Sequence, residues 1–409
     1  MNKAHRLWLE SELLTLDELL SSKLQSSYCE KERFIYRNVY AGTLSIINDS
    51  GNIIKKEDLA TKLIRKCDIV LDRLWELINT GHWKDVDVFL RQFYRVTSIL
   101  KALNLQFLGQ LKAAVLSCDM GIILGAPFGK EELIQEIGSI IHSNNNRDDD
   151  FGRPGKQQCI NIIVPNFNLP NGLQEKTIAR VDSPSIEHFI SVIASKEPVI
   201  IENSLGHWPA LSKWNMEYLI RNFGGRTVPV EIGSSYTSSS WSQKLITIRE
   251  FIETYIHDEN TENKAYLAQY ELFEHLTELK KDIVPLDYCA VSDGEVIANC
   301  WFGPKDTVSP LHHDHYQNIF CQVYGYKRFI LFNSDEDMHP HFHRLLHNTS
   351  QVDLESDTVL DDFPDLSDKT AWVGNLGPGD ILYIPLHWWH HVKSFSPSLS
   401  VSFWWKSSI

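Results

Sequence analysis

Cysteine is sparse in this sequence. Cys29, Cys67, Cys118, Cys159, Cys289, Cys300 and Cys321 are odd in number and never closer than 11 residues. That spacing excludes C-x-x-C zinc sites and argues against a disulfide framework. Long apolar runs are missing too. The leucines of the opening segment MNKAHRLWLESELLTLDELL are interrupted by acidic residues, and no later stretch reaches the roughly 18 apolar residues of a membrane span. Positive charge is in deficit. Lys and Arg number 39 against 53 Asp and Glu, a formal net charge of −14, so no global basic field exists to hold a nucleic-acid backbone. A basic protein or peptide is the expected partner, without direct nucleic-acid binding and without a membrane. Hydrolase signatures are absent as well: there is no H-E-x-x-H helix, no G-x-S-x-G elbow and no persuasive Cys/His nucleophile pair. The expected compartment is intracellular and reducing, nucleus and/or cytoplasm.

What is present fits two packed domains, since 409 residues at 43% hydrophobic is ordinary globular material. Leu59, Leu63, Cys67, Val70, Leu74 and Leu77 recur at helical steps with Gly81 beyond them, predicting a helix over 57–80. Val86, Phe89, Phe93, Val96, Leu100 and Leu103 predict a second, and 105–118 and 130–141 read as two more. Residues 1–141 are therefore expected to be all-helical, a scaffold or docking domain without catalytic residues. The polar segment HSNNNRDDDFGRPGK opens an expected linker over 142–175. From 176 to 409 the texture changes to short β-rich runs at 198–202, 226–231, 265–268, 329–332, 380–384 and 399–404, with helices near 185–195 and 247–257. The overall class is α+β, with a β sandwich or barrel decorated by helices.

Chemistry concentrates in Ser309-Pro-Leu-His312-His313-Asp314-His315. In extended chain, residues two apart point the same way, so His312 and Asp314 can grip one ion while His313 and His315 face the other side. A third ligand is sought at His390, in Tyr383-Ile-Pro-Leu-His-Trp-Trp-His390-His391, at the end of the strand that follows the turn Gly377-Pro-Gly-Asp380. The neighbour His391 is the alternative. Two imidazoles and one carboxylate on one face leave three positions open, which suits Fe(II) receiving a 2-oxo acid and O2. Lys327, on the apolar run Gly325–Phe332, is a candidate cation for a distal carboxylate. His313 reads more simply as a surface residue, and Trp388, Trp389, Trp404 and Trp405 as core aromatics.

With these elements the segment 176–409 resembles the JmjC-domain Fe(II) and 2-oxoglutarate oxygenases, specifically their small protein-arginine hydroxylase and lysine demethylase type. The stretches that carry the resemblance are Ala265–Gln269, Trp301–Pro304, Ser309–Asp314, Leu345–Asp353 and Ser400–Trp405. It implies a double-stranded β-helix, or cupin-like jelly roll, with flanking helices. It implies iron at His312, Asp314 and His390, and 2-oxoglutarate contacts from Tyr266, Gln269, Ser309, Asn318 and Lys327, with Trp301 walling the pocket. For the substrate it implies Glu231, Tyr236 and Trp241, an acid beside aromatic faces that suits a guanidinium or ammonium group. The expected reaction is hydroxylation of an arginine side chain at carbon 3 in a protein, with release of succinate and CO2. Alternatives are demethylation of histone H3 methyl-lysine in a chromatin-regulating role, histone-tail endopeptidase activity, a non-catalytic interaction protein, and a cupin with other chemistry. His315, His387 and His391 crowd the ligand segments, where better-known members carry other residues.

Overall fold

A computed structural model describes residues 11, 13–15, 30–48, 53–128, 132–145, 169, 173–233, 241–257, 264–341 and 346–406. Contacts divide the chain into two units: Met1–Arg153 with Ile220–Val228, and Pro154–Leu219 with Pro229–Ile409. Among the described residues no helix is long and apolar enough to cross a membrane.

The first unit contains α1 (Glu30–Asn48), α2 (Ile53–Ile78), α3 (Val88–Phe107), α4 (Leu111–Ile123) and α5 (Leu133–Asn145). Leu63, Cys67, Val70 and Leu74 of α2 share one core with Phe89, Phe93, Val96 and Leu100 of α3, as their spacing predicts. The side chain of Asp87 caps α3 by accepting from the Phe89 N–H at 2.9 Å. The boundary between α3 and α4 differs from the predicted helix over 105–118. Residues 105–107 finish α3, and Gly109, at φ +71°, turns the chain where an L side chain would be strained. Helix α5 continues past the expected stop at 141 to Asn145, with His142 buried and its Nε2 2.9 Å from the Asn222 carbonyl. The rest of the polar segment, 146–168, lies outside the described residues. Deeper in this unit, Asp119 accepts from Arg226 Nε at 2.8 Å and from the Thr227 N–H at 2.7 Å, with acid and guanidinium both buried.

The remaining elements, all in the second unit except the first two residues of β4, are β1 (Gln174–Thr177), β2 (Ala179–Asp182), α6 (Ile186–Ser195), β3 (Val199–Glu202), β4 (Thr227–Ile232), β5 (Ser242–Thr247), β6 (Ala265–Tyr270), β7 (Ile297–Gly303), β8 (Val308–His312), β9 (Gln317–Tyr324), β10 (Lys327–Phe332), β11 (Thr370–Leu376), β12 (Ile381–Ile384), β13 (Trp389–Ser394) and β14 (Ser398–Trp405). They form a five-stranded sheet, β1-β11-β10-β13-β8, and a nine-stranded sheet, β2-β3-β12-β9-β14-β7-β6-β4-β5. This is the cupin-like double sheet that the sequence implied.

Strand parity sorts the small sheet into two faces. On β10, Phe329 and Leu331 join the core containing Phe320, Leu382 and Val392, whereas Ile330 and Phe332 join a second core with Leu311 and Trp389. Lys327 has the parity of Phe329, so it is carried inward and is 1% exposed. The same rule separates β13: His390 shares the face of Val392, and His391 that of Trp389.

Candidate metal centre and its pocket

His312 ends β8, and His390 lies directly opposite it on antiparallel β13. Their ring centroids are 4.2 Å apart. The sequence reading put His390 at the end of the strand after Gly377–Asp380, and the structure corrects this. That strand, β12, stops at Ile384, and the turn Pro385–Trp388 leads into the next strand, on which His390 is the second residue. Pro385 has no N–H to continue a ladder, and His387 adopts φ +64°, which reverses the chain. Asp314 lies just beyond the end of β8, with Oδ2 3.6 Å from His390 Nε2.

Both imidazoles are oriented from behind. His312 Nδ1 lies 2.7 Å from the Pro310 carbonyl, and His390 Nδ1 3.0 Å from that of Trp388. Those carbonyls can only accept, so the proton sits on Nδ1 and Nε2 is left as a lone-pair donor. The ligand atoms of His312, Asp314 and His390 lie within 4.8 Å of one another and could hold a metal ion. Asp314 Oδ2 is buried without a hydrogen-bond partner. Burial raises the Asp314 carboxyl pKa, while His312, His313 and His315 pull against that rise. Burial drives His390 well below its ordinary value, with His312 adding to the fall. Two imidazoles presenting Nε2 and an orphaned carboxylate converging on one point form a donor set suited to a divalent cation.

His391 faces away, with Nε2 3.6 Å from Glu355 Oε1. Burial, with Lys393 next in effect, lowers its pKa to about 3. The side chain of Lys393 is bonded to the same Glu355.

Behind the three ligands a small inner chamber is lined by Tyr266, Trp301, Ser309, Asn318, Lys327 and Phe320. Lys327 Nζ donates to the Tyr266 hydroxyl at 2.9 Å. Burial lowers the Lys327 pKa to about 7 and raises that of Tyr266. Asn318 Oδ1 is buried and unpartnered, and Trp301 Nε1 donates to Ser402 Oγ at 2.7 Å, which fixes the indole as a wall. In front, a cavity of about 370 Å³ opens past Gln269, Trp241 and Glu231. Gln269, at φ +48°, lines this outer cavity rather than the inner chamber. Glu231 on β4 stands directly opposite Tyr266 on β6, and Trp241 Nε1 donates to it at 3.3 Å. Desolvation raises the Glu231 pKa, with the Trp241 bond acting the other way. Tyr236 lies outside the described residues.

Trp404, read from sequence as core, is buried but also lines the outer cavity, stacked on Tyr316 at 5.4 Å. Tyr316 was missed. It lies two residues beyond Asp314, past the end of β8, where alternation no longer holds: His315, expected to face the other side, lines the same cavity. Thr349, which bridges to His312, was missed as a lining residue as well.

A two-sheet barrel with a His-x-Asp…His cluster at the mouth of a polar pocket defines a cupin-like metalloprotein, and the family model described as a cupin-like domain matches residues 185–409. The chain is 38% identical to lysine-specific demethylase 8 of Danio rerio, over 83% of this chain and 87% of that protein. It is 35% identical to the Xenopus tropicalis protein of the same name, with the same coverage. With Jumonji C domain-containing protein 5 of Drosophila melanogaster it shares 34% identity, over 82% of this chain and 85% of the relative. The chain belongs to the JmjC cupin-like family of oxygenases and demethylases, alongside these proteins. Enzymes of this family use Fe(II) and 2-oxoglutarate.

Proposed function

We propose that this chain is an Fe(II)- and 2-oxoglutarate-dependent oxygenase that hydroxylates arginine side chains at carbon 3 in a basic protein substrate. The observation that carries the reading is the division of the pocket at the metal-binding triad. A buried end holds the Lys327 amine and the Tyr266 hydroxyl, and an acidic outer end holds Glu231 beside the exposed Trp241. A dicarboxylate belongs at the first and a cationic side chain at the second.

His312, Asp314 and His390 would hold the iron, which with 2-oxoglutarate and O2 supplies C–H oxidation and releases succinate and CO2. Lys327 and Tyr266 would bind the distal carboxylate, helped by the hydroxyl and amide groups of Ser309 and Asn318. Gln269 would act at the junction with the outer cavity. Trp301 would wall the inner chamber beside the bound dicarboxylate. Glu231 presents two acceptor oxygens, the number a planar guanidinium fork engages, and the Trp241 N–H holds that carboxylate in place.

Demethylation of a methyl-lysine is the second reading, favoured by the printed names of the Danio rerio and Xenopus tropicalis relatives. Both reactions would use the same ligands and differ in which C–H bond lies nearest the metal. The test is an anaerobic titration with Fe(II) and 2-oxoglutarate, followed by mass spectrometry of arginine and methyl-lysine peptides turned over in air. Gain of one oxygen on arginine is the expected result. Loss of a methyl group as formaldehyde would establish the demethylase, and failure to bind 2-oxoglutarate would leave a non-catalytic interaction protein.

A further inference from the structure

Next to the His312–Asp314 segment a second set of histidines converges, one of which, His315, also borders the outer cavity. The ring centroids of His313 and His315 are 5.4 Å apart, those of His313 and His387 5.4 Å, and those of His315 and His387 5.0 Å. One ligand nitrogen from each of the three falls within 4.8 Å of the others. His347 stacks on His315 at 6.0 Å and borders the same group. We propose that His313, His315 and His387 form a second metal site, separate from the catalytic triad, that takes a divalent cation of the zinc type.

Three observations support a built site over a chance meeting of surface rings. His313 Nδ1 and His387 Nδ1 approach to 3.4 Å. Two ligands on one tetrahedral Zn(II), with bonds of about 2.0–2.1 Å, stand roughly 3.3–3.4 Å apart. His387 is held at φ +64°, a conformation a non-glycine residue adopts at a cost, and its N–H donates to the Asp314 carbonyl at 3.2 Å. His313 is anchored on both sides. Its N–H donates to the Asn348 carbonyl at 2.9 Å, the Asn348 amide returns a bond to the His313 carbonyl at 3.0 Å, and its ring meets Trp389 edge-on at 4.6 Å.

The donor set selects the ion class. All three ligands are imidazoles, so Mg(II) and Ca(II), which take oxygen ligands, are disfavoured against zinc-type cations. Three protein ligands leave a fourth tetrahedral position for water. Because His313 and His315 flank Asp314 and His387 precedes His390, an ion here would tie together the two segments that carry the triad.

The test uses the full chain, stripped with a chelator and titrated anaerobically with Co(II) as a spectroscopic stand-in for zinc. Wild type is expected to bind two equivalents, one of them giving the intense visible bands of tetrahedral cobalt. The double variant His315→Asn/His387→Asn should bind one equivalent and lack those bands. Asparagine is chosen because it tolerates the left-handed backbone at 387. His312→Ala/His390→Ala should show the converse, keeping the tetrahedral bands. If that variant does not fold, the comparison of wild type with the surface double variant decides alone. A surface variant that binds as many equivalents as wild type overturns the proposal. Binding of one equivalent by wild type and none by that variant would uphold it, and would count against the triad instead.

Discussion

Lys327 and Tyr266, 61 residues apart in sequence and carried on different sheets, meet through a 2.9 Å hydrogen bond at the buried end of the pocket. No carboxylate is among the charges acting on that buried ammonium, and desolvation brings its pKa from 10.5 to about 7. In the ligand-free protein Lys327 therefore sheds its charge as pH rises through about 7. The unfolded chain keeps the proton to roughly 10.4, so the unfolded state binds more protons across that window and apo-protein stability should rise with pH through it. Affinity for 2-oxoglutarate should move the other way, weakening from pH 6 to pH 9, as read by calorimetric titration. Lys327→Met should raise the apo melting temperature at pH 6 while abolishing 2-oxoglutarate binding. A methionine variant that is less stable than wild type would sink this account of the lysine.

Gly303 tests the same wall from the other direction. A Cβ built there would sit 2.6 Å from Tyr266 Cδ2 and 2.9 Å from Thr307 Oγ1. Neither a ring packed against Trp301 nor a hydroxyl bonded to the Pro304 carbonyl has room to retreat. Overpacking of this kind costs about 1–3 kcal/mol. Gly303→Ala should lower stability by that amount and, by displacing the Tyr266 ring, raise the KM for 2-oxoglutarate. The peptide KM should change little, and equal loss on both substrates would mean the pocket collapsed as a whole.

Much of this site was legible because it depends on local rules. His-x-Asp is a two-residue repeat, and Lys327 inherits its direction from the parity of Phe329 and Leu331. What parity could not supply was non-local. The turn at Pro385–Trp388 decides which strand carries His390, and it depends on a left-handed histidine that no periodicity marks. The second histidine cluster needs His387 and His313, 74 residues apart, brought to within 3.4 Å by two loops. Strand β1 was invisible because all four of its residues are exposed, so no alternation betrays it. Helix α1 escaped for another reason. Tyr36, Val39, Tyr40 and Thr43 are buried at helical spacing, but tyrosines and a threonine stand where aliphatic residues would have signalled a core.

The helical unit offers a prediction independent of catalysis. Asp119 and Arg226 are 0% and 1% exposed, and the aspartate also takes the Thr227 N–H. Burying the pair costs desolvation, but removing one partner leaves an uncompensated charge. Asp119→Asn should therefore destabilise by about 3–5 kcal/mol in chemical denaturation. Replacing both residues with apolar ones should cost markedly less, and a double variant as unstable as the single would show that the charge is not the cause.

Glu231 provides the sharpest test of substrate class. It stands opposite Tyr266 yet faces the open cavity, and desolvation lifts its pKa above that of an ordinary glutamate. As pH falls through that raised value the carboxyl gains a proton and loses the charge a guanidinium would pair with. Peptide KM should then rise on the acid side at a higher pH than a solvent-exposed glutamate would impose. Glu231→Gln should remove this acid limb and lower kcat/KM for an arginine peptide by about fivefold, since a charge-assisted bond is roughly twice as strong as a neutral one of about 1 kcal/mol. The KM for 2-oxoglutarate should stay as it is, because Lys327 and not Glu231 serves that end. If the glutamine variant kept both the acid limb and wild-type peptide kinetics, the cationic side chain would have to be received elsewhere, and the arginine reading would lose the residue on which it rests.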